Sequence, residues 1–289
     1  MVDSIRSKRD GAGFQFSQPL TEDQLRKAGD LVTDRPDARL YVYGMASRDL
    51  SFLRYFPNLR RLHLALYELD DISGFSYLRA GLEELTFGET KKIFSLRFVE
   101  TMPNLKKLFL VRHKKDLHVI GGLDGLTDLG LSGITLPDLS VVLPLERLRK
   151  LNILLGGTTN LGMLRRLPEL EDLFLMRITR LADLGVLKDL ANLKTLRLDW
   201  MRNVTSLPSF SGLKQLDDVR LDTMKGLTDL SSVAAAPALR RLHIVNMPQL
   251  TAACFCCLLH HSRLEELWAY TGKSGVNDEI KRMFPGIAR

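Results

Sequence analysis

Residues 57–64 read PNLRRLHL, with three leucines, Leu59, Leu62 and Leu64, in the spacing Leu-x-x-Leu-x-Leu. In an extended chain, residues two apart lie on the same face. Leu62 and Leu64 would then point into a core, while the polar residues on either side of Leu62 point away from it. The stretch is predicted to be a short strand with one buried face.

The same frame returns along most of the chain, at intervals of 21 to 25 residues. The ten copies begin at Leu59, Leu82, Leu105, Leu126, Leu148, Leu170, Leu193, Leu216, Leu239 and Leu264. A degenerate copy at Leu40 and Val42 precedes them. Because so short a strand cannot pair with itself, successive copies are predicted to pair with one another in parallel. The segments between them are predicted to return as short helices or turns.

These repeats resemble those of the leucine-rich-repeat family over about residues 37–270. The middle copies are similar to the short internalin type. The later copies are similar to the cysteine-containing type, with methionine in the place of the cysteine. The resemblance implies an α/β solenoid of ten to eleven repeats, with a curved parallel sheet on the concave face and helices or turns on the convex face. It also implies protein binding through the concave face.

One column of the repeat departs from the commonest family pattern, which has asparagine three residues after the last strand leucine. Here that column reads Tyr67, Thr90, His113, Ile134, Gly156, Ile178, Met201, Met224 and Met247. An asparagine ladder is therefore excluded, and the pattern does not specify the turn that follows each strand.

The ends of the solenoid are expected to be closed by caps at residues 1–36 and 271–289, because a stacked core is open at both ends. At the first end, Thr21 and Gln24 have the spacing of a capping box at the start of a helix. The apolar residues expected to cover the first repeat are Phe14, Phe16, Leu20, Leu25 and Leu31. At the other end, residues 277–284 predict a short helix whose apolar stripe is Ile280, Met283 and Phe284.

Charged residues occupy the second and third positions of the frame, and their sign reverses from each copy to the next. The pairs are Arg60-Arg61, Glu83-Glu84, Lys106-Lys107, Thr127-Asp128, Arg149-Lys150, Glu171-Asp172, Lys194-Thr195, Asp217-Asp218, Arg240-Arg241 and Glu265-Glu266. Equivalent positions on parallel strands are neighbours about 4.8 Å apart. The doublets therefore predict a cross-strand ladder of ion pairs.

Charge and composition limit the classes of function. The formal net charge of +7 raises binding of nucleic acid through a basic surface as an alternative. The alternating doublets argue against this, since they cancel the one-signed field that such binding exploits. The first residues contain no apolar stretch typical of a secretory leader, so none is expected, and no apolar stretch reaches membrane-spanning length. We therefore expect a cytoplasmic protein, monomeric on its own, with no membrane partner.

The residues with the chemistry of metal ligands or nucleophiles are clustered at 254–261. They are Cys254, Cys256, Cys257, His260 and His261. Structural zinc usually takes two separated pairs of ligands, and no second pair is evident. Nothing nearby would lower a thiol pKa or form an oxyanion site. We expect the cysteines to be packing residues, with no metal, no cofactor and no catalysis. An enzyme that uses this cluster is the less favoured alternative.

The binding surface is predicted from the outward positions of the strands, which are positions 3, 5 and 7 of the frame. Several apolar and aromatic side chains fall there in the middle repeats, with arginines beside them, as in many interface hot spots. The predicted protein-binding residues are Phe109, Val111, Leu154, Phe174, Met176, Arg197, Trp200 and Arg220. Phe109 and Phe174 are predicted to form the walls of a shallow trough whose floor includes Gly130, Asn152 and Ser132. The identity of the partner is not encoded in these residues.

Overall fold

The computed structural model describes residues 6–7, 13–35, 37–78 and 81–289. The chain divides into two compact units, Met1–Ile134 and Thr135–Arg289. Each unit is a run of short strands that alternate with short helical segments. This is the predicted solenoid architecture, and each unit is described below by itself.

The sheet of the first unit has its strands in chain order. They are β1 (Arg6–Ser7), β2 (Gly13–Phe16), β3 (Arg39–Tyr43), β4 (Arg61–Ala65), β5 (Glu84–Phe87), β6 (Lys107–Val111) and β7 (Asp128–Ser132). Strand β1 pairs with β2 antiparallel, and every later pairing in this unit is parallel. The parallel sheet thus begins at β2, inside the segment that was predicted to be a cap.

The second unit contains a parallel sheet in which each strand pairs with the next along the chain. The strands are β8 (Lys150–Leu154), β9 (Asp172–Met176), β10 (Thr195–Asp199), β11 (Asp218–Asp222), β12 (Arg241–Val245) and β13 (Glu266–Tyr270). Its edge strand β13 is covered by the end of the chain, since the amide of Leu267 donates to the carbonyl of Ile287 at 2.9 Å and the amide of Arg289 donates back to Leu267 at 2.9 Å. An open strand edge, which invites aggregation, is thereby avoided.

The leucine frame fixes both the buried face and the register of the strands. On β4, Leu62 and Leu64 are 1% exposed, and the residues around them are half-buried. Leu62 lies in register with Leu40 on one side and Leu85 on the other. A slip of one residue would turn these side chains toward solvent, so burial of the leucines specifies the pairing. The strand prediction is confirmed.

Short helical segments return the chain from one strand to the next. The 3-10 helices are Ser51–Tyr55, Ser73–Leu78, Leu96–Thr101 and Leu117–Gly122 in the first unit, and Ser140–Val142, Gly162–Arg166, Gly185–Asp189 and Ala252–Leu258 in the second. One return is a short α-helix, α2 (Ser231–Ala234). Each described segment buries apolar side chains, such as Leu164 and Leu187, against the back of the sheet.

The turn that the sequence left unspecified begins with a residue in the left-handed backbone region. These residues are Arg112, Leu155, Arg177, Trp200, Thr223 and Asn246, with φ between 50° and 63°. Each donates its amide hydrogen to the last strand residue of the next repeat, as Trp200 does to Asp222 at 2.8 Å. The hydrogen bond offsets the cost of a conformation that residues other than glycine rarely adopt.

The departing column then points into the core from Thr90 onward, whereas Tyr67 in the first copy is 56% exposed. Met201, Met224 and Met247 are fully buried, and the imidazole of His113 is 1% exposed. His113 stacks on Phe87 with ring centroids 4.1 Å apart, and its Nε2 lies 3.0 Å from the carbonyl oxygen of Gly88. Burial lowers the pKa of His113, which keeps the ring neutral. Methionine or histidine thus occupies the position at which the commonest leucine-rich-repeat pattern has asparagine.

The charge ladder forms along the strands of both units. In the first, the Lys106 and Lys107 ammonium groups lie 3.1 and 3.3 Å from Glu83 and Glu84. In the second, Lys150 lies 2.8 Å from Asp172, and Arg240 lies 2.7 Å from Glu265. The predicted cross-strand ion pairs are confirmed at these positions.

Helices α1 (Glu22–Thr33) and α3 (Ser274–Met283) lie near the ends of the chain. The capping box of α1 is confirmed, because the Thr21 hydroxyl accepts from the Gln24 amide while the Gln24 side chain accepts from the Thr21 amide. The expectation that Leu31 covers the first repeat is wrong, since it is 42% exposed.

Helix α3 begins at Ser274, three residues before the predicted start, and Asn277 does not act as its N-cap. The Asn277 side chain instead accepts from the amide and hydroxyl of Thr271. Ile280 and Phe284 are buried as predicted, and Met283 is partly exposed. The cap boundaries at 36 and 271 remain predictions.

Candidate functional site

The predicted binding residues lie on or beside the face of the sheet that is turned away from the core. We call this the open face; it carries frame positions 3, 5 and 7 of each strand. Phe109 and Val111 belong to the first unit, and the other six predicted residues belong to the second. The predicted site therefore has two parts, one on each unit.

In the first unit, Phe109 does not leave a free trough beside it. The Phe109 ring lies over Gly130 of the neighbouring strand, where a Cβ would come within 2.1 Å of the ring. Phe109 is consequently half-buried, and Gly130 is buried beneath it. Ser132 is also buried, at 7% exposure. The predicted trough floor is wrong on this side, because an aromatic ring packs into the space that the glycine leaves.

In the second unit, strand register brings the predicted residues together. Phe174 on β9 pairs with Arg197 on β10, and Arg197 pairs with Arg220 on β11. Leu154 and Met176 are paired in the same way on β8 and β9. The apolar side chains are half-buried and both arginines are exposed. The result is an apolar area on two strands with a cationic area beside it.

The cationic area contains two neighbouring carboxylates, Asp222 and Asp199, and Asp199 is the one that lacks a hydrogen bond. Asp222 accepts from Arg220 at 2.9 Å and from the Thr223 hydroxyl at 2.8 Å. Its strand neighbour Asp199 lies 3.9 Å from the Arg220 guanidinium, and its buried Oδ1 has no hydrogen-bond partner. Burial, reinforced by the charge of Asp222, raises the pKa of Asp199 to about 6, although Arg220 and Arg197 oppose the shift.

Three large aromatic side chains of this unit are strongly exposed. Trp200 is 50% exposed at the turn after β10, and Trp268 and Tyr270 on β13 are 44% and 58% exposed. Trp200 is among the predicted binding residues, whereas the two aromatic residues of β13 are not. Trp268 and Tyr270 occupy outward positions 5 and 7 of the last frame, so the strand alternation alone could have indicated them.

A small pocket lies at the turn of Trp200, and its lining was also missed. Its volume is about 170 Å³, and it is lined by Arg177, Thr179, Trp200, Arg202, Thr223 and Lys225. The Arg177 guanidinium carbon lies 5.9 Å from the centroid of the Trp200 ring. Positions 8 and 10 of three consecutive frames supply these residues, a regularity visible in the sequence only once the turn is known.

The cysteine and histidine cluster does not have the predicted packing role. Cys256 and Cys257 are exposed, and the buried residues of their 3-10 helix are Ala252, Phe255 and Leu258. The prediction is wrong because the 3-10 periodicity places the phenylalanine, and not the cysteines beside it, toward the core. Local desolvation raises the pKa of the Cys257 thiol, which disfavours the nucleophilic thiolate.

Neither metal ligation nor membrane insertion gains support from the described residues. Within these ranges, no group of three or more His, Cys, Asp or Glu side chains is arranged to hold a metal ion. Likewise, no helix in the described part of the chain is long and apolar enough to cross a bilayer.

Comparison with known proteins relates the chain to solved structures only. No protein-family model and no curated protein sequence matches it. An internalin from Listeria monocytogenes matches with a TM-score of 0.60 and 20% identity, over 83% of this chain and 69% of that chain. A leucine-rich-repeat protein from Leptospira interrogans matches with a TM-score of 0.50 and 14% identity, over 96% of this chain and 88% of that chain. At these identities the likeness concerns the fold.

Proposed function

The chain has the leucine-rich-repeat fold, and from this premise we propose that it binds another protein and catalyses no reaction. The proposed surface is the open face. On the second unit it comprises Leu154, Phe174, Met176, Arg197, Arg220, Trp268 and Tyr270, with Trp200 beside it at the turn after β10. On the first unit it comprises Phe109 and Val111.

The observation that carries the proposal is the composition of the open face in the second unit. Exposed tryptophan, tyrosine and arginine, the residue types most enriched in interface hot spots, occur together on one sheet. The strands beneath them are held by parallel pairing and a buried leucine core. A partner can therefore bind without the cost of ordering the backbone.

The alternatives have weaker support. A nucleic-acid groove needs a field of one sign, whereas the ladder places Glu171, Asp172 and Asp218 among the basic residues. Catalysis by the cysteines would need a lowered thiol pKa, and that of Cys257 is raised. The free cysteines fit a reducing compartment, so we place the protein in the cytoplasm and expect a monomer.

The test is an affinity measurement after the partner has been isolated from source lysate with nuclease treatment. Phe174→Ala with Met176→Ala removes apolar area from the open face. We expect binding to weaken by about tenfold or more, because hot-spot truncations cost about 1–2 kcal/mol or more each.

A matched control removes apolar area from the returning segments. Met163 and Leu259 are 36% and 44% exposed there, so Met163→Ala with Leu259→Ala should leave the affinity within about twofold of wild type. Circular dichroism checks the fold of each variant. Equal affinities for the two double variants would contradict the proposal, as would loss of binding on nuclease treatment.

A further inference from the structure

The pocket at Trp200 is formed by a regular feature of the second unit. In three consecutive repeats, the residue after the strand and the residue two places later flank a buried side chain. The buried residues are Ile178, Met201 and Met224, at 0–1% exposure. The lining residues therefore lie on both sides of a packed row of the core, which fixes their spacing.

Hydrogen bonds hold the backbone at the base of the pocket. The amides of Arg177, Trp200 and Thr223 donate to the last strand residue of the next repeat at 2.9, 2.8 and 2.9 Å. All three residues have φ between 51° and 57°. Because this conformation is unfavourable for residues other than glycine, the hydrogen bonds and the surrounding packing must maintain it. The pocket base is consequently preorganised before any ligand arrives.

The charge of the pocket is uncompensated. Arg177, Arg202 and Lys225 line it, and no carboxylate does. None of the three forms an ion pair with a described residue, in contrast to the ladder lysines and arginines. The Thr223 hydroxyl of the lining donates to Asp222, but that carboxylate is itself paired with Arg220 at 2.9 Å.

We propose that this pocket binds a phosphate group. Three cations suit a dianion, and a guanidinium can bind phosphate oxygens through two parallel hydrogen bonds. The half-exposed Trp200 ring would contact whatever carries the phosphate. The bearer is either a phosphorylated side chain or a nucleotide, and the chemistry common to both is the phosphate. This assigns a ligand class to a site outside the strand positions of the open face.

Trp200 itself provides the measurement. The chain has two tryptophans, so Trp268→Phe leaves Trp200 as the single indole fluorophore. In this background, inorganic phosphate at constant ionic strength should change the fluorescence of Trp200 saturably. Adding Arg202→Gln and Lys225→Gln should raise the midpoint by at least about tenfold, because charge-assisted hydrogen bonds are lost. The exposed pair Arg263→Gln and Lys281→Gln changes the net charge equally and should leave the midpoint unchanged.

Two further titrations identify the bearer. A phosphoserine peptide and adenosine monophosphate are compared with the same peptide unphosphorylated and with adenosine. Tighter binding of either phosphorylated compound than of its counterpart supports the site and names its class. A phosphate response that does not saturate, matches that of acetate, or persists in the Arg202 and Lys225 variant overturns the proposal. The affinity measurements on Phe174 and Met176 use other residues, so the two proposals can fail separately.

Discussion

Asp199 is a residue whose ionisation the fold disfavours, because burial raises its pKa. Its folded-state pKa of about 6 lies above the value of about 3.9 for an unfolded aspartate. Near neutral pH the carboxylate is charged in both states, but only in the folded state is it desolvated with Oδ1 unpaired. Its ionisation therefore destabilises the fold above pH 6, and the penalty disappears as the pH falls below about 4.

We expect Asp199→Asn to raise the free energy of unfolding by about 2 kcal/mol at pH 8, since a pKa unit corresponds to about 1.4 kcal/mol. The gain should shrink from pH 7 downward and vanish near pH 4, where wild-type Asp199 is protonated in both states. Urea unfolding at several pH values measures both quantities.

The exposed Asp189 serves as the control. Asp189→Asn should change stability by less than about 0.5 kcal/mol at either pH. A gain for Asp199→Asn that is the same at pH 4 and pH 8 would show that the effect is steric and not electrostatic.

At the scale of the strand, the ion-pair ladder links each element to its neighbours. The side chains of Glu83 and Glu84 are only 22% and 13% exposed. Glu83 forms ion pairs with Arg60 and Lys106, and Glu84 forms ion pairs with Arg61 and Lys107. Single exposed pairs contribute about 0.2–1 kcal/mol. Shared, partly buried carboxylates should contribute toward the upper end of that range.

Reversal of one doublet tests this linkage. Lys106→Glu with Lys107→Glu places acidic groups beside Glu83, Glu84 and Asp128, and it should lower the free energy of unfolding by about 1–3 kcal/mol at low salt. The loss should diminish in 0.5–1 M salt, where the screening length falls to about 3–4 Å.

The same reversal at Lys114 and Lys115 is the control, because these exposed residues of the same unit lie outside the ladder. It should cost less than about 0.5 kcal/mol. Identical unfolding curves for the two reversals at low salt would refute a stabilising ladder.

For the molecule as a whole, the repeat frame predicted the fold because burial and pairing both follow from it. A leucine at frame positions 4 and 6 determines which face is buried, and a slip would expose every such residue. Strand β2 escaped prediction because Phe14 and Phe16 alternate correctly without the leucine frame. The exposed cysteines were mispredicted because their return segment is a 3-10 helix, whose period differs from that of an α-helix.

The candidate site could be predicted only as far as the strands extend. Outward positions such as Phe174, Arg197 and Arg220 follow directly from the alternation. The packing of Phe109 onto Gly130 depends on a side-chain rotamer, and the pocket at Trp200 depends on the left-handed turn. Neither is specified by a period-two pattern, because each arises from contacts between different repeats.

The most direct test of the central claim is hydroxyl-radical footprinting of the protein with and without its partner. The open-face side chains Met176, Trp268 and Tyr270 should be oxidised several-fold more slowly in the complex, because the partner would exclude solvent from them. Met163 and Leu259, on the returning segments, should be oxidised at unchanged rates. Protection of Met163 and Leu259 with unchanged oxidation of Met176, Trp268 and Tyr270 would contradict binding through the open face.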